Sequence, residues 1–117
     1  PETMMTFLVE DGILFSCDAF GSFGRYAKCF DDEQSEEELV HLASETERYY
    51  ANIVSSFSSF VLRGIAKLDG LDIKVVAPSH GVVWRTEPEK IIAWYKRLAT
   101  YMQGPREKEV AVGWASM

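Results

Sequence analysis

Apolar and polar positions divide the chain into six predicted elements. Met5-Thr6-Phe7-Leu8-Val9 and Ile13-Leu14-Phe15-Ser16-Cys17 are short β-prone runs on either side of Glu10-Asp11-Gly12. Asp-Gly between two such runs predicts an antiparallel hairpin closed by a type I′ turn, with positive φ at both central residues. A glycine-bearing loop at 21–24 and an aperiodic stretch at 25–33 follow. Ser35 with Glu38 then has the spacing of a capping box. It opens an amphipathic helix of about four turns, with Leu39, Ala43, Tyr50 and Ile53 on its apolar face and Leu42, Thr46 and Tyr49 filling the same side. Serines at 55, 56, 58 and 59 mark a break or cap. A second helix carries Phe57, Phe60, Val61, Ile65 and Leu68 and stops at Asp69-Gly70.

Ile73-Lys74-Val75-Val76-Ala77 reads as a strand closed by Pro78. Thr86 with Glu89 has capping-box spacing, and Pro88 in the first turn is tolerated there. The stripe of Ile91, Trp94, Tyr95, Leu98 and Met102 predicts a third helix, ended by Gly104-Pro105. After a charged connection the apolar run 110–117 reads as a further buried strand. Hairpin, two helices, strand, helix and strand indicate an α/β or α+β architecture.

Composition narrows the function classes. The chain has 117 residues, 47% hydrophobic and 26% charged, as in an ordinary globular domain. No apolar run approaches the roughly 20 residues that cross a bilayer, and the N-terminus lacks a basic, then apolar, leader. A net charge of −6 argues against nucleic acid and anionic membranes. Its densest acidic run, Asp31-Asp32-Glu33 with Glu36-Glu37-Glu38, reads as a solvated helix start rather than a metal cage. Cys17 and Cys29 match no zinc or redox spacing and are expected to be reduced in a cytoplasm. Cys17 reads as a small buried hydrophobe. The chain begins with Pro1 and closes on an apolar run, so both ends look cut.

The candidate chemistry lies in two loops. Asp18 directly follows the second strand, and His80 follows the third after Pro78-Ser79. Loops at the C-terminal ends of strands are where α/β folds place ligands, and both residue types ligate metals. An Asp after a strand is often only a turn former, and a lone His is more often structural. Gly21 and Gly81 favour the ligand reading, because each permits close backbone approach beside its partner. Pro78 stiffens the turn that carries His80. His41, the other histidine, falls on a polar acidic helix and is expected to be exposed.

Several separated motifs together resemble the flavodiiron proteins. They are Pro1-Glu2-Thr3-Met4-Met5-Thr6 leading through Phe15-Ser16-Cys17-Asp18-Ala19-Phe20-Gly21, then Tyr49-Tyr50-Ala51-Asn52-Ile53, Ala77-Pro78-Ser79-His80-Gly81 and Trp84-Arg85. The resemblance covers essentially the whole chain. It implies a metallo-β-lactamase-like αβ/βα domain holding a non-haem diiron centre, followed by a flavodoxin-like domain that binds FMN. Residues 1–104 would be the second half of the first domain, 105–109 a linker, and 110–117 the first strand of a truncated flavodoxin-like domain. The implied activity is reduction of dioxygen to water, of nitric oxide to nitrous oxide, or both. Electrons would come from a redox donor protein or a reduced deazaflavin through FMN, in a cytoplasmic homo-oligomer.

Position by position, the resemblance implies that Asp18 bridges the two irons and that His80 is the last histidine ligand, on one of them. Tyr49 would line the pocket of the diatomic substrate, with core packing as the bland alternative, and Trp84 could pack beneath the His80 loop. The family's His-x-Glu-x-Asp-His cluster is absent, as is a histidine expected just before Pro1. Two ligands rarely hold two irons, so the chain alone is expected to be inactive and to lack an FMN site. Two other readings stay open: a fragment of a zinc hydrolase of the metallo-β-lactamase superfamily, and a non-catalytic interaction module.

Overall fold

The computed structural model describes residues 5–103, with side chains as far as residue 101. The expected linker and the expected strand at 110–117 lie outside the described residues. Within them a three-stranded sheet, ordered β1-β2-β3, is combined with three helices. The architecture is the expected mixed α/β.

β1 (Thr6–Leu8) and β2 (Ile13–Cys17) form the expected antiparallel hairpin, in register Thr6↔Phe15 and Leu8↔Ile13. The turn differs from the expectation. Its loop has four residues, 9–12, closed by the Gly12 N–H donating to the Leu8 carbonyl at 2.9 Å. Only Gly12 takes a positive φ there (66°), so a type I′ turn is not formed. The longer loop lets Asp11 keep an ordinary backbone conformation.

α1 (Glu36–Tyr49) starts at the expected capping box. The Ser35 hydroxyl accepts from the Glu38 N–H at 3.1 Å, and Glu38 accepts from the Ser35 N–H at 2.8 Å. Its buried face is Leu42, Thr46 and Tyr49, whereas Leu39 is 42% exposed. The apolar stripe is therefore rotated from the one predicted through Leu39 and Ala43. No break follows. Residues Tyr50–Val54 form a π-helical turn in which the Ser55 N–H reaches back to the Tyr50 carbonyl, and a 3₁₀ turn Ser55–Phe57 leads into α2 (Ser58–Lys67). The wider turn carries one extra residue. It brings the consecutive side chains Tyr49 and Tyr50 both into the core, which a regular 3.6-residue stripe spaces differently. Buried Ser58 shares a 2.5 Å hydrogen bond with the Tyr50 hydroxyl.

β3 (Val75–Pro78) begins two residues later than expected and lies parallel to β2, with Leu14 opposite Val76. Trp84 is buried and exchanges both backbone hydrogen bonds with Val76, at 2.8 and 2.9 Å. α3 (Pro88–Gln103) buries Ile91, Tyr95 and Ala99 completely. That spacing of four lays one face on the sheet and α2. Tyr95 is the hub: its ring sits 5.1 Å from Phe20 and 5.2 Å from Tyr50.

The entry to α3 corrects two expectations. Thr86 does not cap it. The N–H groups of Arg85, Thr86 and Glu87 instead donate to the carboxylate of Asp31, at 3.0 to 3.3 Å. Asp31, expected in a solvated run, is only 9% exposed because it satisfies these three donors. Its neighbour Asp32 pairs with Arg85 at 3.0 Å, and Arg85 lies 3.7 Å over the Phe30 ring. Cys17 is exposed rather than buried, since the alternation of β2 that buries Leu14 and Ser16 puts it on the same outward side as Phe15.

Candidate metal centre

Because β2 and β3 are adjacent and parallel, their C-terminal ends emerge side by side. The register shifts between Phe15 and Cys17, so that Cys17 pairs with Pro78. Asp18 and Ser79-His80 thereby leave the sheet together. Ser79 N–H donates to the Cys17 carbonyl at 2.8 Å, and Ser22 N–H to the His80 carbonyl at 3.3 Å. The Asp18 turn is pinned from both sides: Ala19 N–H donates to the Ser16 carbonyl at 3.1 Å, and the buried Ser16 hydroxyl donates to the Ala19 carbonyl at 2.8 Å.

The backbone of this turn is unusual. Cys17 and Phe20 both adopt left-handed φ, 56° and 68°, which costs a non-glycine residue roughly 1–2 kcal/mol. Such strain tends to gather at functional sites. The two loops also touch closely, as the glycines suggested. A Cβ on Gly21 would stand 3.0 Å from the His80 carbonyl oxygen. Gly81 has φ 95°, and a Cβ there would fall 2.4 Å from the Ser22 Oγ. At both positions only glycine fits without displacement.

The result is a carboxylate facing an imidazole. His80 Nε2 lies 3.8 Å from Asp18 Oδ1, with both side chains more than half exposed. Two donors on one metal ion, each at about 2.1 Å, sit roughly 3.0–3.4 Å apart. The pair thus fits a shared or neighbouring cation in kind and nearly in spacing. It does not fit in number: among the described residues no group of three or more His, Cys, Asp or Glu could hold a metal.

Tyr49 joins them. It is 3% exposed, and its ring lies 6.1 Å from His80 and 5.0 Å, edge-on, from Phe23. Burial, and secondarily the Asp18 charge, push its phenol up to about 12. It is therefore a neutral donor at any physiological pH. His41 is exposed, as expected, with its ring 6.0 Å from Tyr26.

Two supports were missed from sequence. The Tyr95 hydroxyl donates to the Gly21 carbonyl at 2.8 Å, and burial pushes its ionisation far up. Tyr95 stood in the predicted stripe, but nothing local signals a partner 74 positions away. Asp31 anchors the chain that returns from His80, and its acidic neighbours masked it.

No model of a known protein family matches the chain. Curated relatives do. The anaerobic nitric oxide reductase flavorubredoxin of Aeromonas hydrophila is 42% identical over 108 residues, covering 91% of this chain and 21% of that protein. That of Salmonella arizonae is 40% identical over the same length. The chain thus spans about a fifth of the length of the curated relatives it matches. Among solved structures, a flavoprotein of Thermotoga maritima has a TM-score of 0.76 at 31% identity, covering 86% of this chain and 24% of its own. The flavodiiron protein of Giardia intestinalis gives 0.74 at 31%, covering 83% and 23%. The rubredoxin oxygen:oxidoreductase of Desulfovibrio gigas gives 0.76 at 26%, covering 85% and 25%. In sequence and in backbone path alike, the chain belongs to the flavodiiron protein family, of which it represents one segment.

Proposed function

We propose that this chain delivers one carboxylate and one imidazole to the diiron centre of a flavodiiron oxidoreductase, with Asp18 bridging the irons and His80 bound to one of them. The observation that carries the reading is the 3.8 Å approach of Asp18 and His80 beyond two adjacent parallel strands. On this reading residues 1–104 are the second half of a metallo-β-lactamase-like domain, 105–109 a linker, and 110–117 the first strand of a flavodoxin-like domain. The complete protein reduces nitric oxide to nitrous oxide, dioxygen to water, or both, with FMN relaying electrons from a redox donor protein or a reduced deazaflavin. The names of the relatives support both gases, since the flavorubredoxin is a nitric oxide reductase and the Desulfovibrio gigas protein an oxygen oxidoreductase. None of those relatives bears the name of a zinc hydrolase. We place it in a cytoplasmic homo-oligomer.

When bound, two irons would supply the electrons to the diatomic substrate. The chain's own residues bind and position. Asp18 has two oxygens, enough to span two cations, and the Ser16–Ala19 bonds hold it at the apex of its turn. His80 offers Nε2 toward Asp18, with its backbone fixed by Ser22. Tyr49, its ring 6.1 Å from the imidazole, would line the pocket of a small substrate with a hydroxyl that stays protonated. Among the described residues these two donors are too few to hold two irons, so the 117-residue chain by itself is expected to show no turnover.

A chimera tests this. Replacing the matching segment of the Aeromonas hydrophila flavorubredoxin by this chain should preserve nitric oxide consumption. Asp18→Ala or His80→Ala in the chimera should reduce it at least 100-fold, as loss of a metal ligand does when the ion is lost with it. An active chimera that tolerates either substitution contradicts the assignment.

A further inference from the structure

Asp18 and His80 have side chains more than half exposed, so the backbones that carry them, rather than packing around the side chains, set their approach. Those backbones converge on Gly21. A Cβ there would stand 3.0 Å from the His80 carbonyl oxygen, 3.3 Å from that of Asp18 and 3.4 Å from Cε1 of Tyr49. Gly21 thus packs against all three residues proposed for the metal and its substrate. Its own carbonyl accepts from the hydroxyl of Tyr95, a fully buried residue of α3, at 2.8 Å. The Tyr95 ring lies 5.1 Å from that of Phe20, whose φ of 68° is left-handed. One side chain therefore holds two successive residues of the loop, the strained one by packing and the next by a hydrogen bond.

We infer that Tyr95 is a positioning residue of the metal centre, whose hydroxyl, acting through the Gly21 carbonyl, sets the separation of Asp18 and His80. The inference rests on the assignment of those two as ligands. The Gly21 carbonyl and the Ser22 N–H belong to one planar peptide unit. Tyr95 holds the first, and the second donates to the His80 carbonyl at 3.3 Å. Any rotation of that plane moves both ends together. Strain at Phe20 and one buried hydrogen bond are of the same order. Without the hydroxyl, the loop can relax about Phe20 while the carbonyl turns away to find another donor, and the link to His80 goes with it. Site geometry must hold to within about 0.5 Å, less than such a rotation displaces.

Tyr50 offers a matched comparison. It is equally buried and its ring lies 5.2 Å from that of Tyr95, but its hydroxyl pairs with Ser58 on α2. It has no part in the peptide that joins the two loops.

The test compares Tyr95→Phe with Tyr50→Phe in the Aeromonas hydrophila chimera carrying this chain. Each deletes one buried hydroxyl and keeps its ring, so both should lower the urea midpoint slightly and leave the far-ultraviolet circular dichroism unchanged. Only Tyr95→Phe should disturb the irons. It should release iron to a chelator at least tenfold faster than the unsubstituted chimera, the scale on which partners outside the ligand set act. The absorption of its oxidised irons should shift, and kcat for nitric oxide should fall about tenfold with KM unchanged. Tyr50→Phe should match the unsubstituted chimera in all three. Iron release and absorption unaltered in Tyr95→Phe, or altered equally in Tyr50→Phe, overturn the inference and leave Tyr95 a core residue only. Loss of the fold in Tyr95→Phe overturns it as well, since a hydroxyl that the whole domain needs is structural. Asp18→Ala and His80→Ala, run beside them, separate the two claims. Iron lost in both while Tyr95→Phe stays unaltered sinks the inference alone and leaves the ligand assignment standing. Iron retained in both overturns the assignment and the inference together.

Discussion

On one face of the sheet Leu14 and Val76 are sealed beneath α3, Tyr50 and Tyr95, with every ring in edge or tilted contact. On the other, Leu8 and Phe15 stand open. Between α2 and the Phe7–Leu14 side of the sheet, a groove of about 700 Å³ has Asp18 in its wall. The packed side supplies what holds the fold and, at the edge of its groove, the Asp18 carboxylate, while the open side supplies only exposed apolar surface. The strained turn at Cys17 and Phe20 lies where the two meet. The packed half can hold that strain because Tyr95 and Ser16 grip the loop from below.

Substitutions on the two sides should differ sharply. Tyr95→Ala removes the hub ring and its bond to Gly21, and about 3–5 kcal/mol of stability should be lost, read from the urea midpoint. Phe15→Ala on the open face should cost under about 1 kcal/mol. Equal losses would erase the comparison. Gly81→Ala sits at the seam and should cost about 1–3 kcal/mol, because it forces a left-handed residue against Ser22. Asp31→Ala leaves three N–H groups short of their acceptor and should cost about 2–3 kcal/mol; Asp31→Asn, which keeps one oxygen, should cost less.

Most of the packed side was legible in the sequence. The hairpin, the Ser35–Glu38 box and the Ile91–Tyr95 stripe are local patterns, and local patterns name their own elements. What stayed hidden depends on contacts across the chain. Asp31 reads as one more surface acid until Arg85, Thr86 and Glu87 are folded onto it. The π-helical turn at Tyr50–Val54 is invisible to a search at the period of 3.6. Asp18 and His80 could be proposed as partners because both follow strands. Their approach depends on β2 and β3 being parallel neighbours, which no stretch of sequence states.

The smallest expected effect is one of pH. The Tyr49 phenol is raised from its ordinary 10 to about 12 in the folded chain. The folded state thus holds that proton more tightly than the unfolded one. Stability from this group is complete below pH 10 and is lost as the pH rises through about 12. Ultraviolet titration should show one tyrosinate forming near pH 12 in the wild type and absent in Tyr49→Phe. A wild-type profile indistinguishable from that of Tyr49→Phe would place Tyr49 in water rather than against His80.

The most direct measurement is the iron content of the Aeromonas hydrophila chimera carrying this chain. The account predicts two irons per polypeptide with Asp18 and His80 in place. It predicts a loss of at least one in His80→Ala and of both in Asp18→Ala, with the far-ultraviolet circular dichroism unchanged. Two irons retained in both variants would contradict it.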